Sequence, residues 1–423
     1  MPSKHKKDQN TAEKNFDIIV IGGGASGMMS AGRAAELGKK VLLLEKNTQL
    51  GEKLKITGGG RCNVTNAESN VSTFLKNYGI AEDFLYSPFS KFAGKETFQF
   101  FDKRNLSLVV QAGQRAFPHT EKAFDVFKVM EKYLREGGVS IKTNSPVTQI
   151  IKDGDKITGV KVQDKIYSAK SYILATGGMS HPETGSTGDG FDWLRVLGHN
   201  VKTPTPTIVP IKVKESWVKS IPGTVFPDIK ITFSLDGIKK FFKKGNILCT
   251  HFGLSGPLIL NSAGQVNDLL YEGAVTAKID MFPSLDEAQL EAKLLQTFEE
   301  NKNKNLKNAL SQIIPTGAIE SLLSLVPNLE QDTKVHSVTK ENRKSLITLF
   351  KNLSVTVTGL MGFDKAVVAD GGVDLSEIDM KTMQSKKIEN LYITGDLLHI
   401  NRPSGGYSLQ ICWTSGYIAG CNA

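Results

Sequence analysis

Phe16-Asp17-Ile18-Ile19-Val20-Ile21-Gly22-Gly23-Gly24-Ala25-Ser26-Gly27 reads as a strand, a glycine turn and the start of a helix. The β-branched run suits a strand buried on both faces, and the helix-forming stretch behind it runs to Leu37-Gly38, where Gly38 is the expected left-handed stop. Val41 to Leu44 makes a second strand ending at Glu45, eighteen residues beyond Gly27. Gly22-x-Gly24-x-x-Gly27 alone is a weak signal; between a buried strand and a helix, with an acidic residue at the next strand end, it is a dinucleotide-binding turn. Gly22 makes the tight turn, Gly24 lets backbone approach a diphosphate and Gly27 permits close helix–strand packing. The free N–H groups of the first turn, at Ala25 and Ser26, face the diphosphate. Glu45 is the expected acceptor for the ribose hydroxyls, with Lys46 beside it.

Two later strand ends separate FAD from a nicotinamide cofactor. Tyr172-Ile173-Leu174-Ala175 runs into Thr176-Gly177-Gly178, and Leu391-Tyr392-Ile393-Thr394 runs into Gly395-Asp396. They resemble the second and third cofactor-contacting turns of flavoproteins with two dinucleotide domains, where a Gly-Asp carboxylate bonds the ribityl chain. A nicotinamide-only dehydrogenase needs neither. No second G-x-G-x-x-G follows a strand, so NADH or NADPH would dock transiently at the flavin. Val147, opening the strand Val147 to Ile151, is a further cofactor-side candidate.

Composition bounds the rest. A chain of 423 residues makes two or three domains at about 150 residues each. No uncharged apolar run reaches the ~18 residues of a membrane span, and the Lys-rich start, Met1 to Asn15, has no apolar core for a signal peptide. With 52 Lys and Arg against 43 Asp and Glu the net charge is +9, which suits an acidic partner. Four cysteines, Cys62, Cys249, Cys412 and Cys421, form no metal or redox spacing, and no metal site is expected. These features point to the cytoplasm.

The fold class expected is α/β: a Rossmann-like FAD domain with an inserted β module and a small helical subdomain. Residues 1–15 are a polar tail and 16–203 the first part of the FAD domain. Residues 204–283 are the inserted β module, 284–352 the helical module and 353–423 the return to the FAD domain. Thr203-Pro204-Thr205-Pro206-Thr207 is expected to interrupt regular structure. Ser284-Leu285-Asp286-Glu287 reads as a capping box, ahead of a helix burying Leu290, Leu294 and Phe298. Lys239-Lys240-Phe241-Phe242-Lys243-Lys244 reads as a lysine-protected hairpin edge, with a nucleic-acid surface as the alternative.

Gly58-Gly59-Gly60-Arg61-Cys62-Asn63-Val64-Thr65-Asn66 is the most distinctive run. Its glycines let N–H groups crowd a ligand, and Arg61 can offset phosphate or flavin charge; Cys62 reads as a packing residue. This run resembles the signature of the BaiN/aminoacetone oxidase-like family of FAD-dependent oxidoreductases, and the similarity covers nearly the whole chain. Arg115-Ala116-Phe117-Pro118, the Pro182 to Gly190 block, Thr250 to Pro257 and Gly405-Gly406-Tyr407-Ser408-Leu409-Gln410 are similar to further family blocks. The chain departs from the family pattern where His399 and Asn401 stand for acidic residues and Ser408 for Asn. The resemblance implies that residues 204–283 form an inserted β-barrel-like substrate domain, and that non-covalent FAD acts on a small organic substrate.

For catalysis the candidates are His251, His399 and Arg115, the last as an anion clamp. The helix opening after Gly405-Gly406 is expected to offer its N–H groups to charge on the reduced ring. Two chemistries stay open: NAD(P)H-linked reduction of a carbon–carbon double bond, and O2-dependent amine oxidation releasing hydrogen peroxide. A basic RNA-binding or RNA-modifying flavoprotein is the alternative class, although a nucleic-acid partner is not the leading expectation. Oligomeric state is not legible.

Overall fold

The computed structural model describes residues 13–423. Of the expected polar tail, residues 1–12 lie outside the described residues, while Glu13 already belongs to the first strand. That strand, β1 (Glu13–Ile21), is followed by helix α1 (Ala25–Glu36) and strand β2 (Val41–Leu44). Gly38, at φ +82°, stops the helix: its N–H donates to the Ala35 carbonyl and that of Lys39 to Ala34, the paired bonds of a left-handed helix end.

The chain forms two units. One comprises the N-terminal segment through Thr205 together with Val368–Ala423; the other is Pro206–Val367. In the first, β1 lies between β2 and strand β3 (Lys165–Leu174), parallel to both. The carboxyl half of β3 pairs in parallel with strand β4 (Leu391–Ile393) on its other side, while its amino half takes the antiparallel strand Lys156–Val162. Ser140–Lys142 extends the sheet beyond β2. Ile18 to Ile21, Val41 to Leu44 and Tyr172 to Leu174 are all buried, which is why these strands read as unbroken apolar runs. Helix α2 (Tyr407–Asn422) closes this unit by packing on α1.

That packing rests on two glycines. A Cβ on Gly416 would lie 2.5 Å from the Ser26 carbonyl oxygen, and one on Gly420 would lie 2.5 Å from that of Ser30. Spaced four apart, they clear one face of α2 so that the two helix backbones meet.

In the second unit six antiparallel strands close a barrel, in the order Ile211–Val213, Gly253–Ser255, Ile238–Thr250, Val225–Leu235, Val275–Asp280 and Leu353–Leu360. Leu353–Leu360 is therefore a barrel strand, and the return to the first unit comes at Val368 rather than at 353. The helices of 284–352 do not make a core of their own: Leu290, Leu294, Phe298, Leu346 and Phe350 share one apolar cluster with barrel residues Ile231, Phe233 and Val355. A module that small gains its apolar burial from the barrel wall.

Two local expectations are corrected. The proline stretch is a strand, Val201–Thr207, in a two-stranded sheet with Val368–Val373. Pro204 and Pro206 are two residues apart, so both missing N–H groups fall on the same edge, and a two-stranded sheet leaves an edge without need of donors. The capping box lies two residues later than expected. Asp286 accepts from the Gln289 N–H at 2.8 Å, and the Gln289 side chain accepts from the Asp286 N–H at 3.0 Å, ahead of the helix Glu287–Glu300. Asp286→Ala is expected to lower stability by about 1 kcal/mol, read as a shifted urea midpoint with an unchanged slope.

Lys239, Lys240, Lys243 and Lys244 are exposed on a hairpin arm, with Phe241 stacked on Phe233 at 4.8 Å and Phe242 exposed beside Lys230 and Lys239. No helix among the described residues is long and apolar enough to cross a membrane.

Candidate functional site

The parallel ladder fixes the site. Ile21 is level with Leu44 and with Leu174, and Leu174 with Ile393. The carboxyl ends of β1, β3 and β4 thus finish side by side, and the turns Gly22–Gly24, Ala175–Gly177 and Thr394–Asp396 share one edge of the sheet. Such an edge is where open α/β sheets bind ligands.

The three glycines of the first turn divide their roles. A Cβ on Gly22 (φ +102°) would lie 2.5 Å from the Ala175 carbonyl oxygen, and one on Gly27 would sit on the Gly22 carbonyl oxygen. A Cβ on Gly24 would meet nothing within 4 Å. Gly22 and Gly27 therefore serve packing, and Gly24 leaves an open approach to the first turn of α1, whose N–H groups no side chain caps. Ser26 is buried against Gly395, where a Cβ would lie 2.8 Å from the Ser26 hydroxyl.

Glu45 is buried and does more than face a ribose. One carboxylate oxygen accepts from the Gly23 N–H at 2.7 Å and the other from the Asn47 N–H at 2.8 Å, so it pins the glycine turn to the end of β2. Each oxygen retains a lone pair for a ribose hydroxyl. Lys46 is engaged within the protein, with its ammonium 2.8 Å from Asp189 and 2.5 Å from the Thr187 hydroxyl. The Asn47 amide holds the Thr184 carbonyl at 2.9 Å, so the 182–189 loop is clasped beside the end of β2. Half-buried Val147 follows Ser145, whose N–H donates to the Glu45 carbonyl at 2.8 Å.

In the glycine run, Gly59 (φ +65°) and Gly60 (φ +87°) have open space where a Cβ would stand, while one on Gly58 would lie 3.1 Å from the Asn63 nitrogen. Arg61 does not present a bare charge: its guanidinium lies 2.6 Å from Glu121 and from Gln111, over the Phe117 ring at 4.4 Å. Buried Cys62 has its thiol pushed up to about 12 by burial, the state of a packing residue. Asn63 Oδ1 and Thr176 Oγ1 are buried without a hydrogen-bond partner in the protein. Thr176 is packed under Gly190; the Asn63 oxygen, beside the open glycines, is the kind of group a bound ligand satisfies.

At the third turn, Asp396 forms a buried ion pair with Arg402, whose Nε donates to the Ser408 hydroxyl at 3.1 Å and whose Nη1 donates to the Ile400 carbonyl at 2.7 Å. Burial raises the Asp396 pKa, but Arg402 and then Lys53 outweigh it and hold the carboxyl below its ordinary value. Gly177 and Gly395 take positive φ in their turns. Gly406 (φ +101°) has backbone contact with Thr65 where a Cβ would be, and α2 opens from it at Tyr407 and Ser408 with no side-chain cap. Tyr407 is set edge-on to Phe74 at 5.0 Å. A Cβ on Gly405 would lie 3.3 Å from the Tyr407 ring.

Each catalytic candidate has surroundings of its own. His399 belongs to this unit, with Nε2 3.5 Å from Asp370 Oδ1 and 3.2 Å from the Lys202 ammonium. Arg115 is exposed, its Nε donating to the Ala112 carbonyl at 3.0 Å. His251 is an exposed turn residue of the barrel unit, edge-on to Phe252 at 4.9 Å. Sequence reasoning missed Arg402, Lys53 and Asp370; only Arg402 left a signal, as a lone cation in the run Leu397 to Pro403.

The open glycines, the pinned Glu45 and the orphaned Asn63 oxygen fit a dinucleotide with its diphosphate at Gly24. A fold likeness extends to the 3-ketosteroid delta1-dehydrogenase from Sterolibacterium denitrificans (TM-score 0.53, 15% identity, 96% of this chain and 98% of that one). The chain is 30% identical over 406 residues to a 3-dehydro-bile acid delta(4,6)-reductase of Clostridium scindens, covering 95% of this chain and 98% of the relative. It is 28% identical to a ribosomal RNA dihydrouridine synthase of Haemophilus influenzae, covering 94% and 96%. Residues 16–422 match the HI0933-like protein Rossmann domain, and with the three glycine turns level at one sheet edge the chain belongs to that family of FAD-dependent oxidoreductases, the one its Gly-Gly-Gly-Arg-Cys-Asn run resembled.

Proposed function

We propose that the chain reduces a carbon–carbon double bond of a small carbonyl-bearing substrate, using non-covalent FAD and NADH or NADPH as electron donor. The observation that carries this reading is the level alignment of the three turns, with Gly24, Gly59 and Gly60 open. When bound, FAD supplies hydride transfer at N5. Gly24 and the first turn of α1 receive the diphosphate, Glu45 receives a ribose, and the uncapped N–H groups of Tyr407 and Ser408 offset charge at the ring. His399, whose Nε2 lies 3.2 Å from the Lys202 ammonium and 3.5 Å from Asp370, is the proton donor we assign. One relative is named a delta(4,6)-reductase and the other a dihydrouridine synthase, which favours reduction over amine oxidation.

Purified protein is expected to be yellow and to lose its visible flavin bands rapidly on anaerobic mixing with NADH or NADPH. Bands that persist with both nicotinamides, together with hydrogen peroxide from an amine in air, would replace this reading with the oxidase one.

The ribosomal RNA dihydrouridine synthase relatives support a second reading, in which the double bond belongs to a uridine in RNA. The +9 charge and the exposed lysine arm agree with it. Retardation of ribosomal RNA fragments at physiological salt is its test; free migration at micromolar protein removes it.

A further inference from the structure

Lys53, on the short helix Glu52–Ile56 between Glu45 and the open glycines, belongs to a cluster of charged and polar side chains. Its ammonium donates to the hydroxyl of buried Ser180 at 3.1 Å and, among the described residues, forms no ion pair. The charged groups that act on it are Asp396, Arg402 and Glu183, with the Cys412 thiol beside them. Asp396 is already paired with Arg402, Glu183 lies 2.8 Å from His181, and the Cys412 thiol, pushed up to about 12 by burial and by Asp396, stays neutral. Glu183 is largely exposed and screened by solvent, so the two cations share one buried carboxylate.

The cluster draws on four cofactor-side segments. Lys53 precedes the open glycines, Ser180 follows the second turn, Asp396 ends the third, and Ser408, held by Arg402, lies in the first turn of α2. Part of Lys53 keeps accessible surface, as the wall of an open cradle does, while burial of its ammonium depresses its pKa below the ordinary lysine value. An enclosed cation without a counter-ion is destabilising, and a bound anion removes that penalty.

We propose that Lys53, with Arg402 compensated by Asp396, supplies one unbalanced positive charge that binds an anionic oxygen of the dinucleotide. The inference rests on the FAD reading above. Both the diphosphate and the reduced ring carry such an oxygen.

Lys53→Met and Lys53→Arg apoproteins are the test, with FAD and ADP affinity and the flavin reduction potential as readouts. Lys53→Met is expected to weaken FAD binding, or to lower the potential, by the equivalent of about 10- to 100-fold in binding, the range of a lost charge-assisted bond; Lys53→Arg keeps most of it. ADP weakened by a similar factor at unchanged potential assigns the charge to the diphosphate. A lower potential with unchanged ADP binding assigns it to the ring. Apo Lys53→Met is expected to unfold no earlier than wild type, because an unpaired buried cation has been removed. Lys53→Met that binds FAD and ADP as wild type does, at the same potential, overturns this inference alone. Wild-type protein that takes up no FAD overturns the cofactor reading and this one with it.

Discussion

Gly27→Ala is expected to remove at least about 3 kcal/mol of stability, the upper end of what an overfilled core loses, and to yield protein without flavin. The added methyl would occupy the position of the Gly22 carbonyl oxygen. That oxygen is backbone at the mouth of the first turn, so the strain has no flexible side chain to absorb it. Gly24→Ala makes the opposite pattern. Its methyl would meet no protein atom within 4 Å and its φ of −77° suits any residue, so the apoprotein should change by no more than about 1 kcal/mol, the scale of a helix-cap substitution. FAD affinity should fall by at least about tenfold, or 1.4 kcal/mol, because the methyl takes the space that backbone leaves for the diphosphate. Thermal unfolding of the apoproteins and flavin titration separate the two. Unchanged FAD affinity in Gly24→Ala would show that Gly24 is not at the cofactor.

The second large effect is at the meeting of α1 and α2. Gly416→Val is expected to cost at least about 3 kcal/mol, since its branched side chain meets the Ser26 carbonyl oxygen where the backbones touch. Ser415, next to it, accepts the Gly395 N–H at 2.9 Å. Displacing α2 therefore also unseats the third turn, and flavin loss should accompany the fall in melting temperature. A variant that melts early but keeps its cofactor at wild-type affinity would show that the helix contact and the turn are not coupled.

Much of the nucleotide fold was legible because its signals are local. β-branched runs, glycine spacing and an acidic strand end all sit within thirty residues of Phe16, and β2 falls at Val41–Leu44 as read. The barrel boundary was missed because β pairing is non-local: nothing near Leu353 reveals that its partner is Val275–Asp280. Pro204 and Pro206 misled because proline's lost donor matters only if a neighbour needs it, which an edge strand does not. Among site residues, Gly22, Gly24, Gly27 and Glu45 announced themselves by spacing. Lys46 and Arg61 looked available as bare cations but have acquired Asp189 and Glu121 from distant segments. Lys53 and Asp370 gave no signal, since a buried charge differs from an exposed one only in its surroundings.

The touching of α1 and α2 also orders the birth of the protein. Everything from Pro206 to Val367 emerges from the ribosome before α2 exists, so the barrel, built from one uninterrupted stretch, can fold while the nucleotide half is still waiting for its second layer. Until Gly416 and Gly420 arrive, α1 has a bare flank and the third turn has no Ser415 to hold it, and a nascent chain stalled before residue 407 should be unable to retain flavin.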